Sequence, residues 1–185
     1  GAGSDFWSFA TATAGVTVDL GAGTATGQGN DIIISIENVD GSDFDDVLAG
    51  DVNANILNGG LGDDRITGNG VDTLDGGAGT DTLDYSALTT AVTVDLDDNG
   101  AQTSSTGDAI ANFDNVDGGS GNDTLIGDAA VNVINGNAGN DVIDGDGGAD
   151  TLNGDAGNDR FIADGSDTID GGVGSDTLDY SGFVT

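Results

Sequence analysis

Asp123, Asp141, Asp150, Asp159, Asp167 and Asp176 stand at one phase of a short repeat. Each follows a tight glycine-rich stretch and precedes a single apolar residue by two positions: Leu125, Ile143, Leu152, Phe161, Ile169 and Leu178. Asp46, Asp64, Asp72 and Asp81 occupy the same phase earlier in the chain, while Asn55 and Asn132 take the slot once each. Carboxylates, together with carbonyls turned inward by tight turns, are oxygen ligands for a hard cation. Little other chemistry is open to this chain. It has no His and no Cys, its two basic residues are Arg65 and Arg160, and it has no Lys. A serine nucleophile would lack a base, and solvent-facing aspartates in turns are not a tuned acid–base pair. The reading is therefore that the chain is not an enzyme.

The aspartates need elements to hold them, and the period supplies these. Cut every nine residues, Gly118–Asp179 reads GGSGNDTLI, GDAAVNVIN, GNAGNDVID, GDGGADTLN, GDAGNDRFI, the eight-residue ADGSDTID, and GGVGSDTLD. An earlier block reads GSDFDDVLA, GDVNANILN, GGLGDDRIT, the eight-residue GNGVDTLD, and GGAGTDTLD, over Gly41–Asp84. Glycine lets the backbone turn tightly. The lone apolar residue centres a three-residue strand whose neighbours point the other way. One apolar residue per segment builds no core alone, but stacked copies pile these side chains into a column, which is the logic of a solenoid.

These segments resemble the GGxGxDxUx nonapeptide of the RTX (repeats-in-toxin) calcium-binding family, with U apolar. The resemblance implies an all-β fold, a right-handed parallel β-roll in which two nonapeptides make one coil and Ca2+ sits between stacked turns. It also implies the ligands: carbonyls of the first and third turn positions plus the Asp of one turn, with carbonyls of the second and fourth positions plus the Asp of the turn two segments later. On this chain that yields Gly118, Ser120 and Asp123 with Asn137, Gly139 and Asp141, the cleanest site by that rule. Next come Gly136, Ala138 and Asp141 with Asp155, Gly157 and Asp159, then Gly154, Ala156 and Asp159 with Gly172, Gly174 and Asp176. The first block offers Gly41, Asp43 and Asp46 with Gly60, Gly62 and Asp64, then Gly59, Leu61 and Asp64 with Gly77, Gly79 and Asp81. Asp72, Asp150 and Asp167 line a poorer edge, because Asn55 and Asn132 interrupt it and two of its turns are one residue short. Ligand charge and number predict about five good calcium sites and about three poorer ones, hence about five to eight ions.

Composition agrees. The 185 residues carry a net charge of −32, and all the acids but Glu37 are aspartate. Such a chain repels itself and resists collapse unless cations neutralise it. Nucleic acid is excluded as a partner for this surface. No apolar run is long enough for a transmembrane helix. The absence of Cys removes disulfides. The chain begins with Gly1 and has no Met, so it reads as a fragment. The family resemblance implies type I secretion and an extracellular location.

A longer repeat contains the short one. Gly1–Leu20 aligns without gaps on Gly77–Leu96, and the same phase returns at Gly172. Each long unit runs through an aromatic step (Phe9, Tyr85, Tyr180) and then a VTVDL strand. A Gly/Thr/Ser-rich loop follows (Gly21–Gly29; Asp97–Gly107), and then an apolar strand ending in Asn-Val-Asp-Gly (Ile32–Gly41; Ala109–Gly118). The organisation expected is 1–40 as the end of one turn plus insertion strands, 41–84 as the first nonapeptide block, 85–117 as an insertion, 118–179 as the second block, and 180–185 as the start of another unit. Phe6, Trp7, Phe9, Tyr85, Tyr180 and Phe183 gather where block meets insertion and are expected to cap the roll, with sugar stacking as the sharper alternative. Arg65 and Arg160 are expected on outward strand positions, in surface ion pairs of little energetic weight. The role expected is a rigid calcium-stiffened segment of a surface layer, adhesin or fibre, with calcium, further copies of the chain end to end or other cell-surface components as partners. The alternative is an export and folding accessory to a secreted enzyme.

Overall fold

In the computed structural model, residues 3–97, 107–162 and 166–181 are described. Residues 98–106 of the second insertion loop, 163–165 of an eight-residue segment, and Phe183 lie outside them. No helix occurs among the described residues, and so none is long and apolar enough to cross a membrane. Glycine at this density disfavours helix, and no apolar stripe of helical period persists. The chain forms short strands instead, most of three residues with the apolar residue at the centre.

Two compact units form, Gly1–Leu83 with Thr106–Phe113, and Asp84–Ser105 with Asp114–Thr185. In the second unit the strands stack in parallel: Thr124–Ile126 on Val142–Asp144 on Arg160–Ile162 on Thr177–Asp179, with Thr93–Asp95 above. Val142 faces Arg160, 18 residues on, so two nonapeptides make one coil. The opposite wall stacks Asn115–Asp117, Val133–Asn135, Thr151–Asn153 and Thr168–Asp170. Val94, Leu125, Ile143 and Phe161 form one interior column, and Val116, Ile134 and Leu152 form the other, all almost wholly buried. Each fully buried side chain of this size contributes about 1.5–3 kcal/mol. Leu152 is clamped between Ile134 and Ile169, so Leu152→Ala should cost about 3 kcal/mol. A fall in the urea midpoint at saturating calcium measures it, and an unchanged midpoint would count against a column that bears load.

The first unit repeats the plan. Phe6–Ser8, Asn38–Asp40, Ile56–Leu61, Thr73–Ala78 and Ala109–Ala111 make one parallel wall. Thr17–Asp19, Val47–Ala49, Arg65–Thr67 and Thr82–Leu83 make the other. Outward amides interleave with carboxylates on the first wall: Asn58 Nδ2 donates to Asp40 Oδ1 (2.6 Å) and Asn112 Nδ2 to Asp75 Oδ1 (2.7 Å). Like charges therefore do not stack directly.

Two details of the insertion differ from expectation. Gly21–Gly29 is not only a loop, because Thr24–Thr26 pairs antiparallel with Thr17–Asp19 and then with Asn30–Ile32. Its Thr-Ala-Thr alternation buries Ala25, a residue too small to stand out as a core position. Ile32–Gly41 is not one strand either. It divides into Asn30–Ile32 and Asn38–Asp40, with Ser35 between them in the left-handed region at φ 56°.

Candidate metal centre

The strands bring the aspartates into file at the turns. The N–H of Asp123 donates to Asp141 Oδ1 (2.8 Å), that of Asp141 to Asp159 Oδ1 (2.8 Å), and that of Asp159 to Asp176 Oδ1 (3.0 Å). In the first unit the N–H of Asp46 donates to Asp64 Oδ1 (2.7 Å) and that of Asp64 to Asp81 Oδ1 (2.8 Å). On the other edges Asn55 donates to Asp72, Asn132 to Asp150, and Asp150 to Asp167. One carboxylate oxygen of each aspartate is thus committed to the coil before it.

The second oxygen carries the chemistry. Oδ2 of Asp64, Asp141, Asp159 and Asp167 is buried with no hydrogen-bond donor. A buried carboxylate oxygen without a donor carries a desolvation penalty. It faces its own turn's first glycine: a Cβ built on Gly59, Gly136 or Gly154 would fall 2.2, 2.5 or 2.4 Å from Oδ2 of Asp64, Asp141 or Asp159. Only a residue without a Cβ leaves that space open. Among the described residues no three acidic side chains converge. An ion here would draw on two aspartates at most and take its other ligands from main-chain oxygens, a donor set that suits Ca2+.

The turns stack through their own hydrogen bonds. Ala138 donates to Gly119 O, Ala156 to Asn137 O, and Val173 to Asp155 O. Asn137 and Asp155 hold φ of 67° and 63° at the second turn position, a region that Asn and Asp tolerate better than most side chains. In the first unit Leu61 donates to Ser42 O, and Gly62 to Ala78 O.

The three ligand groups of the second block are all brought together, but they are not equally open. Gly118 O accepts from Asn137 Nδ2 (2.8 Å), Asp123 accepts from Val92 N (2.9 Å) and Gly119 N (2.8 Å), and Ser120 Oγ donates to Leu88 O (3.4 Å). Protein donors thus meet Asp123 as well as carbonyls of this site; in the other two pairings donors meet carbonyls, Asp155 O from Val173 and Ala156 O from Gly139, while Oδ2 of Asp141 and of Asp159 has none. In the first unit Asp46 accepts from Val16 N, Ser42 N and Ser42 Oγ, and Asp43 is exposed. In the pairing of Gly59, Leu61 and Asp64 with Gly77, Gly79 and Asp81, Oδ2 of Asp64 is an oxygen without a donor, while Leu61 and Gly77 belong to the ladder between Ile56–Leu61 and Thr73–Ala78. Asp72 is filled by the N–H groups of Asn55, Asn69 and Gly70. The sequence reading overlooked Asp108, buried in the insertion, whose Oδ1 accepts the Asp72 N–H (2.8 Å) and extends that ladder. Its signal was an Asp two residues before an apolar one, Ile110.

Burial pushes the Asp64 carboxyl up to about 7, and the carboxylates of Asp46 and Asp81 add to the rise. Burial likewise pushes Asp141 up to about 6, aided by Asp123 and Asp159, and raises Asp72 and Asp159. In the metal-free chain these groups hold protons more tightly folded than unfolded, so ionisation opposes folding above about pH 7 and the opposition lifts as pH falls toward 4. In calcium-depleted buffer the β-signal in circular dichroism should therefore grow between pH 7 and pH 5. A signal that stays flat across that range would contradict the burial argument.

The basic residues play a lesser part. Arg160 pairs with Asp179 and holds that carboxyl down to about 2. The pair is exposed and contributes little. Phe9 and Tyr85 are buried, and the Trp7 and Phe9 rings stack at 5.6 Å. Phe6 and Tyr180 are exposed.

A family model described as the RTX calcium-binding nonapeptide repeat, in four copies, matches residues 40–70, 67–87, 111–134, 126–161 and 163–182. No curated protein matches the chain. Glycine turns in register, an aspartate at all but two of them, and one apolar residue per strand fit that repeat, and the matches span well over half of the chain: it belongs to the RTX calcium-binding nonapeptide repeat family.

Proposed function

We propose that the chain is a calcium-switched structural segment of a secreted protein. With little calcium it stays extended. At the millimolar calcium found outside cells it folds into a stiff roll that serves a surface layer, adhesin or fibre. The observation that carries this reading is the recurring buried aspartate oxygen with no donor, which makes folding unfavourable until a cation supplies the missing charge. The net charge of −32 acts in the same direction. The structural role, as against service to a linked enzyme, draws on the tandem units with one phase at Gly1, Gly77 and Gly172.

The test couples calorimetric calcium titration with sedimentation velocity on the same sample. Binding of several ions per chain near millimolar calcium, with growth into oligomers, supports the structural segment. Binding by a chain that stays monomeric favours an accessory module instead. No binding up to 10 mM calcium, well above the range of about 10⁻⁴–10⁻³ M for extracellular modules, would remove both readings.

A further inference from the structure

Both units carry Asn in the second Asp slot, and both insertions end in Asn-Val-Asp-Gly: Asn38–Gly41 and Asn115–Gly118. Calcium binding uses neither regularity, and one arrangement accounts for both.

Along the regular coils, the residue after each Asp slot donates its N–H to the carbonyl of the slot residue one coil earlier. Thr151 N donates to Asn132 O (2.9 Å), Val142 N to Asp123 O (2.9 Å), and Arg65 N to Asp46 O (2.9 Å). Where the insertion meets the roll this bond is replaced by two. Val133 N donates to Asn115 Oδ1 (2.7 Å), and Asn132 Nδ2 donates to Asp114 O (2.7 Å). The first unit does the same: Ile56 N donates to Asn38 Oδ1 (2.9 Å), and Asn55 Nδ2 donates to Glu37 O (2.8 Å). Each slot amide is also anchored in its own turn, since Asn132 Oδ1 accepts Asp128 N (2.8 Å) and Asn55 Oδ1 accepts Asp51 N (2.7 Å). Asn38, Asn55 and Asn132 are buried. At both junctions the coil above turns a carbonyl toward the slot side chain, so a carboxylate would set oxygen against oxygen. Asparagine both donates and accepts, so at each junction the two amides supply the bonds that take the place of the main-chain one.

We propose that Asn38 with Asn55, and Asn115 with Asn132, are metal-independent splices that fix the register of each insertion on its roll, and that the slot asparagines are not calcium ligands. The statement about ligands rests on the calcium reading above, while the splice itself does not.

The test compares Asn132→Asp, Asn132→Ala and Asn115→Ala with the parent at saturating calcium, by native mass spectrometry and amide hydrogen exchange. All should bind as many ions as the parent. Asn115→Ala and Asn132→Asp should speed exchange at Val133 N–H by about tenfold or more, as expected for a buried donor that loses its fixed partner. Asp128 N–H should stay protected in Asn132→Asp, whose carboxylate still accepts it. Ile56 N–H, in the untouched splice of the other unit, is the internal reference. The proposal is overturned if Asn132→Ala loses an ion, which makes the asparagine a ligand. It is overturned equally if Asn132→Asp gains an ion together with slower exchange, which makes the position a calcium slot short of charge. Unchanged exchange at Val133 in both Asn115→Ala and Asn132→Asp would refute the splice directly. A parent that binds no calcium would defeat the function proposed above, while the exchange contrast would still decide the splice.

Discussion

Chelating calcium from the folded chain should abolish its β-structure cooperatively rather than loosen it by degrees. Extracellular calcium modules bind with Kd of about 10⁻⁴–10⁻³ M. At ten times Kd each site contributes about 1.4 kcal/mol by linkage, so the roughly five good sites expected from the sequence would together contribute about 7 kcal/mol. That is comparable to the whole stability of an ordinary domain, about 5–15 kcal/mol. The donorless oxygens of Asp64, Asp141, Asp159 and Asp167 make the loss steeper, because they are buried with no protein donor to replace the ion. Circular dichroism and thermal melting during EGTA titration measure this, and restoring calcium should reverse it. A melting temperature indifferent to EGTA would mean that packing alone holds the roll, and the aspartate turns would need another explanation.

The second large effect comes from a single methyl group. A Cβ built on Gly157 would lie 1.4 Å from Gly139 O, one coil earlier. Both are main chain, so no rotamer can relieve the overlap and the coils must part locally. Gly157→Ala should therefore cost more than about 4 kcal/mol, in the range reserved for severe local disruption, and should weaken calcium binding at the turns on either side. Gly147→Ala is the matching control. There the nearest atom to an added Cβ is Ala129 Cα at 3.8 Å, ordinary contact, and the cost should stay below about 1 kcal/mol. Urea midpoints at fixed calcium compare the two. Equal midpoints would mean that the coils are not held this closely in solution.

The parts of the fold legible from sequence were those that repeat. Leu125, Ile143 and Phe161 sit in a single buried column because one apolar residue in each nonapeptide leaves no other choice of interior. The Asp slots align for the same reason, since coils of 18 residues, or 17 where one segment is short, put equal phases in register. What stayed hidden lies where the period is broken. Thr24–Thr26 pairs antiparallel although its buried residue is only an alanine. Asp108 belongs to an aspartate ladder, but its neighbours are insertion and not repeat. The openness of each site was hidden too. Gly118 O and Asp123 match the family pattern fully, yet local amides already occupy them, and spacing carries no information about which donors a neighbouring loop will supply. The two slot asparagines look like weakened sites in the sequence, whereas their hydrogen bonds show a carbonyl opposite each.

The 18-residue step between stacked strands also sets how a unit would answer to pulling. One coil adds about 4.8 Å of height along the stack, but the same 18 residues drawn straight span about 60 Å. Tension that strips one coil would release roughly 55 Å of slack by these same dimensions, and because the stacked strands bond only to the coils next to them, stripping can proceed one coil at a time. Recoil would then depend on calcium returning to the emptied turns, so the ion concentration around the protein would set how quickly an extended segment recovers its length.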